Sequence, residues 1–249
     1  MIVTSITLCS LLAVLALALG QTGLAQSPHA AVVLNLPPVI VIGIVGGFIR
    51  HDNLAHSEVQ LAARLRQAYP LGVDVETFES YHRGRARRRI LDLLDTRHDG
   101  TLTAEEKQNA RIIIYGHSWG GSEAVNLARD LKKDGIPVLL TVQIDSISMR
   151  HNDRVIPANV AQAANFYQPN GLLHGQPEIR AADPTRTHIV GNFRSEYKPS
   201  DYNCEHYPWY DRVLVKAHTQ IECDASVWKD VETLIRSELQ PIMDGKTEP

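Results

Sequence analysis

From residue 39 onward the chain switches repeatedly between two hydrophobic periods. "VIVIGIVGG" (39–47) is a near-continuous apolar run, the pattern of a parallel strand buried on both faces. "SEVQLAARLRQAYP" follows, with Ser57 at the N-cap position, Leu61, Ala62 and Leu65 on one helical face, and Pro70 as the stop. "VDVETF" alternates as a short strand does, the basic "HRGRARRRILDLLD" turns helical, and "RIIIY" reads as a second buried strand. Beyond Gly121, the residues Ala124, Leu127, Ala128 and Leu131 recur at helical spacing until Gly135 and Pro137 end the helix.

"IPVLLTVQID" is another buried strand, finishing on Asp145. Residues 146–185 are rich in Pro, Asn, Gly and His and read as loop, apart from "NVAQAANFYQ", a short piece of helical or strand character. "RTHIVGNF" and "DRVLVKAH" are later strand candidates, and Val227, Trp228, Val231, Leu234 and Ile235 form the apolar stripe of a last helix. Such alternation predicts a three-layer α/β fold, a mostly parallel central sheet flanked by helices. Ligands bind such sheets at the carboxyl ends of the strands, so the loops there are where chemistry is expected.

The first 25 residues differ from the rest. "LCSLLAVLALALG" is apolar and uncharged, and Gly23-Leu24-Ala25 follows it as a small-residue cleavage site. Residues 1–25 therefore read as a secretory signal peptide, with a retained membrane anchor as the alternative, and residues 26–249 as one domain. Export to the periplasm or the medium is expected, with no stable membrane span after cleavage. Cys204 and Cys223 then remain, and a pair in an oxidising compartment reads as a disulfide. A net charge of −3 offers nothing to nucleic acid.

Between the "RIIIY" strand and the helix that follows it stands Gly116-His117-Ser118-Trp119-Gly120, a G-x-S-x-G in the strand–turn–helix context that this motif requires. The glycines are needed because side chains at 116 and 120 would collide across so sharp a turn. On "GHSWGG" the chain resembles the α/β-hydrolase superfamily, in particular the nucleophile elbow of lipases and esterases, over roughly residues 38–240. The resemblance implies the α/β-hydrolase fold, Ser118 as nucleophile, and a triad in the order serine, acid, histidine.

That order implies His218 as the base, between the last strand candidate and the last helix; His174, His188 and His206 compete less well by position. Asp145 is the acid of choice, at the end of the strand after the elbow helix, with Asp183 and Asp153 as alternatives. Many hydrolases of this fold carry the acid one strand later, where only Asn170 is on offer here. Backbone N–H groups of Trp119 and of Gly47 or Phe48 are the expected oxyanion donors, Gly46-Gly47-Phe48 standing after the first central strand.

A second motif is "DTRHDGTLTAEE" (95–106), which resembles a twelve-residue EF-hand calcium loop. Asp95, Asp99, Thr101, Thr103 and Glu106 fall at ligand positions and Gly100 at the turn, but Arg97 stands where an oxygen ligand belongs. The alternative is an Asp-Gly turn followed by a Thr103–Glu106 capping box. The "RGRARRR" run (83–89) reads as a solvated helix start.

The resemblance therefore implies an exported, monomeric serine hydrolase that cleaves a small-molecule or lipid carboxylic ester through an acyl-enzyme on Ser118. No cofactor is required, with calcium the candidate ion at 95–106. The alternatives are a thioesterase or amidase with the same triad, and a hydrolase-fold binding protein without catalysis.

Overall fold

The computed structural model describes residues 37–243, apart from 150, 151, 199, 203 and 208. The expected signal peptide lies outside the described residues, as does the tail "DGKTEP".

Six parallel strands form the central sheet: β1 (Val39–Val45), β2 (Val73–Glu79), β3 (Ile112–His117), β4 (Val138–Ile144), β6 (Val160–Tyr167) and β8 (His188–Arg194). Their order is β2-β1-β3-β4-β6-β8. Two short pieces, β5 (Val155–Ile156) and β7 (Arg180–Ala181), pair separately. The "NVAQAANFYQ" segment is thus a full sheet strand, with Ala163, Ala164 and Phe166 buried beside the polar Asn165.

Side-chain alternation assigns the layers. Ile40, Ile42, Ile44, Ile112 and Ile114 face α2 (Arg83–Leu94) and α4 (Trp119–Lys133), against Ile90, Leu94, Leu127 and Leu131. Val39, Val41, Ile113 and Tyr115 face α1 (Ser57–Ala68) and α7 (Ala225–Met243), against Leu61, Leu65, Trp228 and Ile235. Both faces of the sheet are covered, which is why the strands read as unbroken apolar runs. Strand order, all-parallel register and helices on both faces make this the three-layer α/β-hydrolase fold.

Three expectations need correction. "DRVLVKAH" is not a strand: α5 (Trp209–Leu214) and α6 (Lys216–Cys223) occupy it. Val213 is two-thirds exposed, while His218 to Glu222 on α6 are buried without a break, so tertiary packing overrides the local β-branched preference. Secondly, Ser57 is the first residue of α1 and His56 holds the N-cap place without a side-chain cap. Thirdly, the arginine run is not simply solvated. Arg83 pairs with Glu123 and Asp130, Arg87 with Asp134, and Arg89 with Asp74 and Glu76, tying α2 to α4 and β2.

In the 95–106 loop, a short helix α3 (Ala104–Gln108) opens with the capping box of Thr103 and Glu106. The Asp95 carboxylate accepts from the Asp99 and Gly100 N–H groups, and Gly100 has φ 78°. Arg97 reaches both Asp99 (2.9 Å) and Glu106 (3.7 Å), so a side-chain cation sits among the acidic groups.

Candidate active site

Chain direction reverses between β1 and β3: from β1 the sheet grows outward to β2 on one side, and through β3, β4, β6 and β8 on the other. A crevice opens outside the carboxyl ends of the strands at such a switch point. Gly46 and Gly47 leave β1 there and Ser118 leaves β3 there.

Ser118 has φ 56° and ψ −126°, outside the conformations that side-chain-bearing residues favour. Three hydrogen bonds hold it: its N–H donates to the Ile144 carbonyl, and its own carbonyl accepts from the N–H groups of Gly121 and Ile147, each at 3.0 Å. Close packing explains the glycines. A Cβ at 116 would stand 2.4 Å from the Gly120 backbone, and one at 120 would stand 2.0 Å from the Ile44 carbonyl oxygen. Strain at this one residue is thus over-determined by its surroundings, and α4 begins directly after it with the Trp119 N–H unpaired inside the helix.

The histidine and the acid come together over 73 residues of chain. His218 Nδ1 lies 2.7 Å from Asp145 Oδ2. Asp145 is fully buried and clamped: it accepts from the Gln168 side-chain amide (2.9 Å), the Gln168 N–H (3.3 Å) and the Gly175 N–H (2.5 Å). With Nδ1 committed to the carboxylate, Nε2 is the ring nitrogen left for a serine proton. Ser118 and His218 line one cavity of about 280 Å³, together with Gly46, Gly47, Trp119, Ile147, Leu173 and Val215.

Asp145, not Asp183 or Asp153, meets His218. Asp183 is bound to Thr185 in an exposed turn, and buried Asp153 accepts from the Ser146 hydroxyl at 2.6 Å. The glycine loop after β1 presses on Ser118, since a Cβ on Gly46 would lie 3.0 Å from Ser118 Cβ. Gly47 has φ 49° and its carbonyl accepts from the Ser80 hydroxyl. Phe48 is 83% exposed and stands edge-on to Trp119 at 5.6 Å.

Cys204 and Cys223 are bonded, with Cα atoms 5.9 Å apart. Cys223 ends α6, the helix that carries His218, so the bridge anchors that helix to the preceding loop. Sequence reasoning missed the Gln168 and Gly175 clamp on Asp145, because both arrive through loop geometry that no residue pattern encodes. It also missed the company of His117. That ring stacks on His218 with centroids 4.5 Å apart and lies 3.5–3.6 Å from Glu58 and Glu222. Burial opposes a charge on His117, yet the Glu222 and Glu58 carboxylates outweigh it and push the imidazole up to about 9. Burial likewise disfavours the charged Glu222 carboxylate, but His117 and His56 hold it below its ordinary value.

A second cleft of about 480 Å³ adjoins the first, sharing Trp119 and Ile147 and continuing past Phe48, Tyr81, Met149 and Asn152.

No protein-family model and no curated protein matches this sequence. Among solved structures the chain is similar to a dienelactone hydrolase-like promiscuous phosphotriesterase from metagenomic libraries. The identity is 16%, the match covers 81% of this chain and 87% of that chain, and the TM-score is 0.38.

Proposed function

We propose that the protein is a serine hydrolase of carboxylic esters that works through an acyl-enzyme on Ser118. The observation that supports this most is the convergence on one cavity of a strained elbow serine and a histidine whose Nδ1 is fixed by a buried carboxylate. Nucleophile, base and orienting acid are the set that acyl transfer needs, and a binding protein gains nothing from backbone strain at a serine.

In this reading Ser118 attacks the acyl carbon while His218 Nε2 takes its proton. Asp145 accepts the Nδ1–H and stabilises the imidazolium that forms. The Trp119 N–H, at the start of α4, and a backbone N–H of Gly47 or Phe48 hold the oxyanion. His218 then protonates the leaving alcohol, and water, deprotonated by the same imidazole, releases the acid. The cavity beside Ser118 carries Ile49, Ile147, Leu173 and Val215, which suits a short to medium acyl chain. The adjoining cleft, with Ser148, Asn126 and Asn152 among its walls, suits a polar alcohol portion.

Export belongs to the same proposal, and the disulfide fits an oxidising compartment. Among the described residues no helix is long and apolar enough to cross a membrane.

A panel of p-nitrophenyl esters and matching thioesters and anilides tests the reading. Acetate and butyrate esters should be turned over fastest, with palmitate slow, and Ser118→Ala should abolish turnover while leaving the far-UV spectrum unchanged. Undiminished ester hydrolysis by Ser118→Ala would overturn it.

A further inference from the structure

Next to the Ser118 cavity, residues from three distant parts of the chain meet at one buried point. His56 and Glu58 come from the start of α1 and Glu222 from the end of α6. One ligand atom from each lies within 4.8 Å of the others, and among the described residues this is the one such grouping of His, Cys, Asp or Glu. His117, from the end of β3, stands beside that group as an ion-pair neighbour: its Nδ1 is 3.6 Å from Glu58 Oε1 and 3.5 Å from Glu222 Oε2.

None of these four side chains has a part in the acyl-transfer chemistry above, and two of them are short of partners. Neither carboxylate oxygen of Glu58 has a hydrogen-bond donor although the residue is 0% exposed, and neither ring nitrogen of His117 has a hydrogen-bond partner. Buried polar groups are almost always bonded, so orphaned ones crowded at a single point call for an occupant. The Glu58 backbone is itself fixed, its carbonyl accepting from the fully buried Tyr115 hydroxyl at 2.8 Å. The point is therefore a formed feature of the fold.

We propose that His56, Glu58 and Glu222 bind one divalent transition-metal ion of the zinc type, with solvent in the fourth position. The donor set selects the class. An imidazole with two carboxylates suits a borderline cation, whereas calcium and magnesium take oxygen ligands throughout. Bonds of about 2.0–2.1 Å in a tetrahedron put ligand atoms about 3.4 Å apart. The ligand atoms of His56, Glu58 and Glu222 already lie within 4.8 Å of one another, so small side-chain shifts bring them to that spacing. His56 Nδ1 and Glu222 Oε1, now 2.6 Å apart as a hydrogen-bonded pair, separate by less than about 1 Å when the metal replaces the proton between them. The proton displaced from the His56 imidazole leaves to solvent. The ion has an entry path, because His56, His117 and Glu222 all line the cavity that Ser118 lines.

Such an ion joins the start of α1 to the end of α6. Glu222 stands one helical turn after His218, so the ion fixes the helix that carries His218. Binding is independent of which reaction Ser118 performs, so this proposal stands or falls separately from the ester-hydrolase reading.

The test is cobalt and zinc binding to the purified, chelator-treated protein. Cobalt(II) should develop the visible d–d absorption of a tetrahedral site, saturating at about one ion per chain, and zinc should abolish that band by displacement. His56→Ala and Glu222→Gln should each weaken zinc binding at least about a hundredfold, whereas Glu196→Gln, in a surface ion pair with Arg194, should leave it unchanged. Absence of a tetrahedral cobalt spectrum in the wild-type protein at millimolar metal would overturn the proposal, and that result needs no variant to fold. So would a zinc affinity that both ligand variants retain in full.

Discussion

Asp145 Oδ2 accepts from His218 Nδ1 at 2.7 Å, and the same oxygen also takes the Gln168 side-chain amide at 2.9 Å. The carboxylate is therefore held from two sides before it holds the imidazole. Asp145→Asn keeps the shape of the side chain but favours the wrong imidazole tautomer. Ester hydrolysis should fall about ten-thousandfold in kcat/KM, with Ser118 still present. Steady-state kinetics on a p-nitrophenyl ester check this, and a loss under tenfold would remove Asp145 from the triad.

Much of this arrangement was legible before the fold was known, and the reasons are local. Ile112–Tyr115 and Val39–Val45 are strands buried on both faces, so they announce themselves as apolar runs. Ser118 is legible because its turn tolerates only glycine at 116 and 120, which writes the strain into the sequence. That Asp145 and His218 meet was expected from chain order, a property of the family resemblance more than of their own neighbours. The failures share a cause as well. "DRVLVKAH" has strand-like composition, but tertiary packing makes it helical, leaving Val213 exposed and His218 buried. His56 and Glu222 are 166 positions apart and their meeting leaves no trace in either local pattern.

The Cys204–Cys223 bridge closes 19 residues of chain and ends on the helix bearing His218. Loop-closure entropy assigns it about 3 kcal/mol, worth about 6–12 °C in a domain of this size. Cys204→Ser should show that drop in a calorimetric melt. The same variant should lower kcat more than it changes KM, because the helix carrying His218 is loosened. An unchanged Tm would show that the bridge adds no stability.

Asp224 precedes α7 and accepts from the Ser226 N–H (2.8 Å), the Ser226 hydroxyl (2.6 Å) and the Tyr197 hydroxyl (2.8 Å). Burial would raise its pKa, but the bonds from Ser226 and Tyr197 win and hold the carboxyl below its ordinary value. A depressed folded value means that its stabilisation is complete above about pH 4 and disappears as pH falls through that value. Asp224→Asn should therefore cost about 1 kcal/mol, roughly 2–4 °C, at pH 7. The gap between variant and wild type should close as the melt is repeated toward pH 3, and a constant gap would contradict the assignment.

Arg97 places its guanidinium between Asp99 and Glu106 in the EF-hand-like loop. It supplies the charge that calcium would bring, so titration of the wild-type protein should give no heat at millimolar calcium. Arg97→Asp removes the cation and restores an oxygen at the third loop position, and calorimetry should then detect submillimolar calcium binding. Calcium heat from the wild type would mean that Arg97 swings clear of the loop.

The central claim is that Ser118 is an activated nucleophile, and covalent capture tests it most directly. A fluorophosphonate probe incubated with the folded protein, followed by peptide mapping, should place one label on Ser118. Labelling should fall sharply in His218→Ala and vanish in Ser118→Ala. A wild-type protein left unlabelled, or labelled elsewhere with Ser118 untouched, would contradict the account.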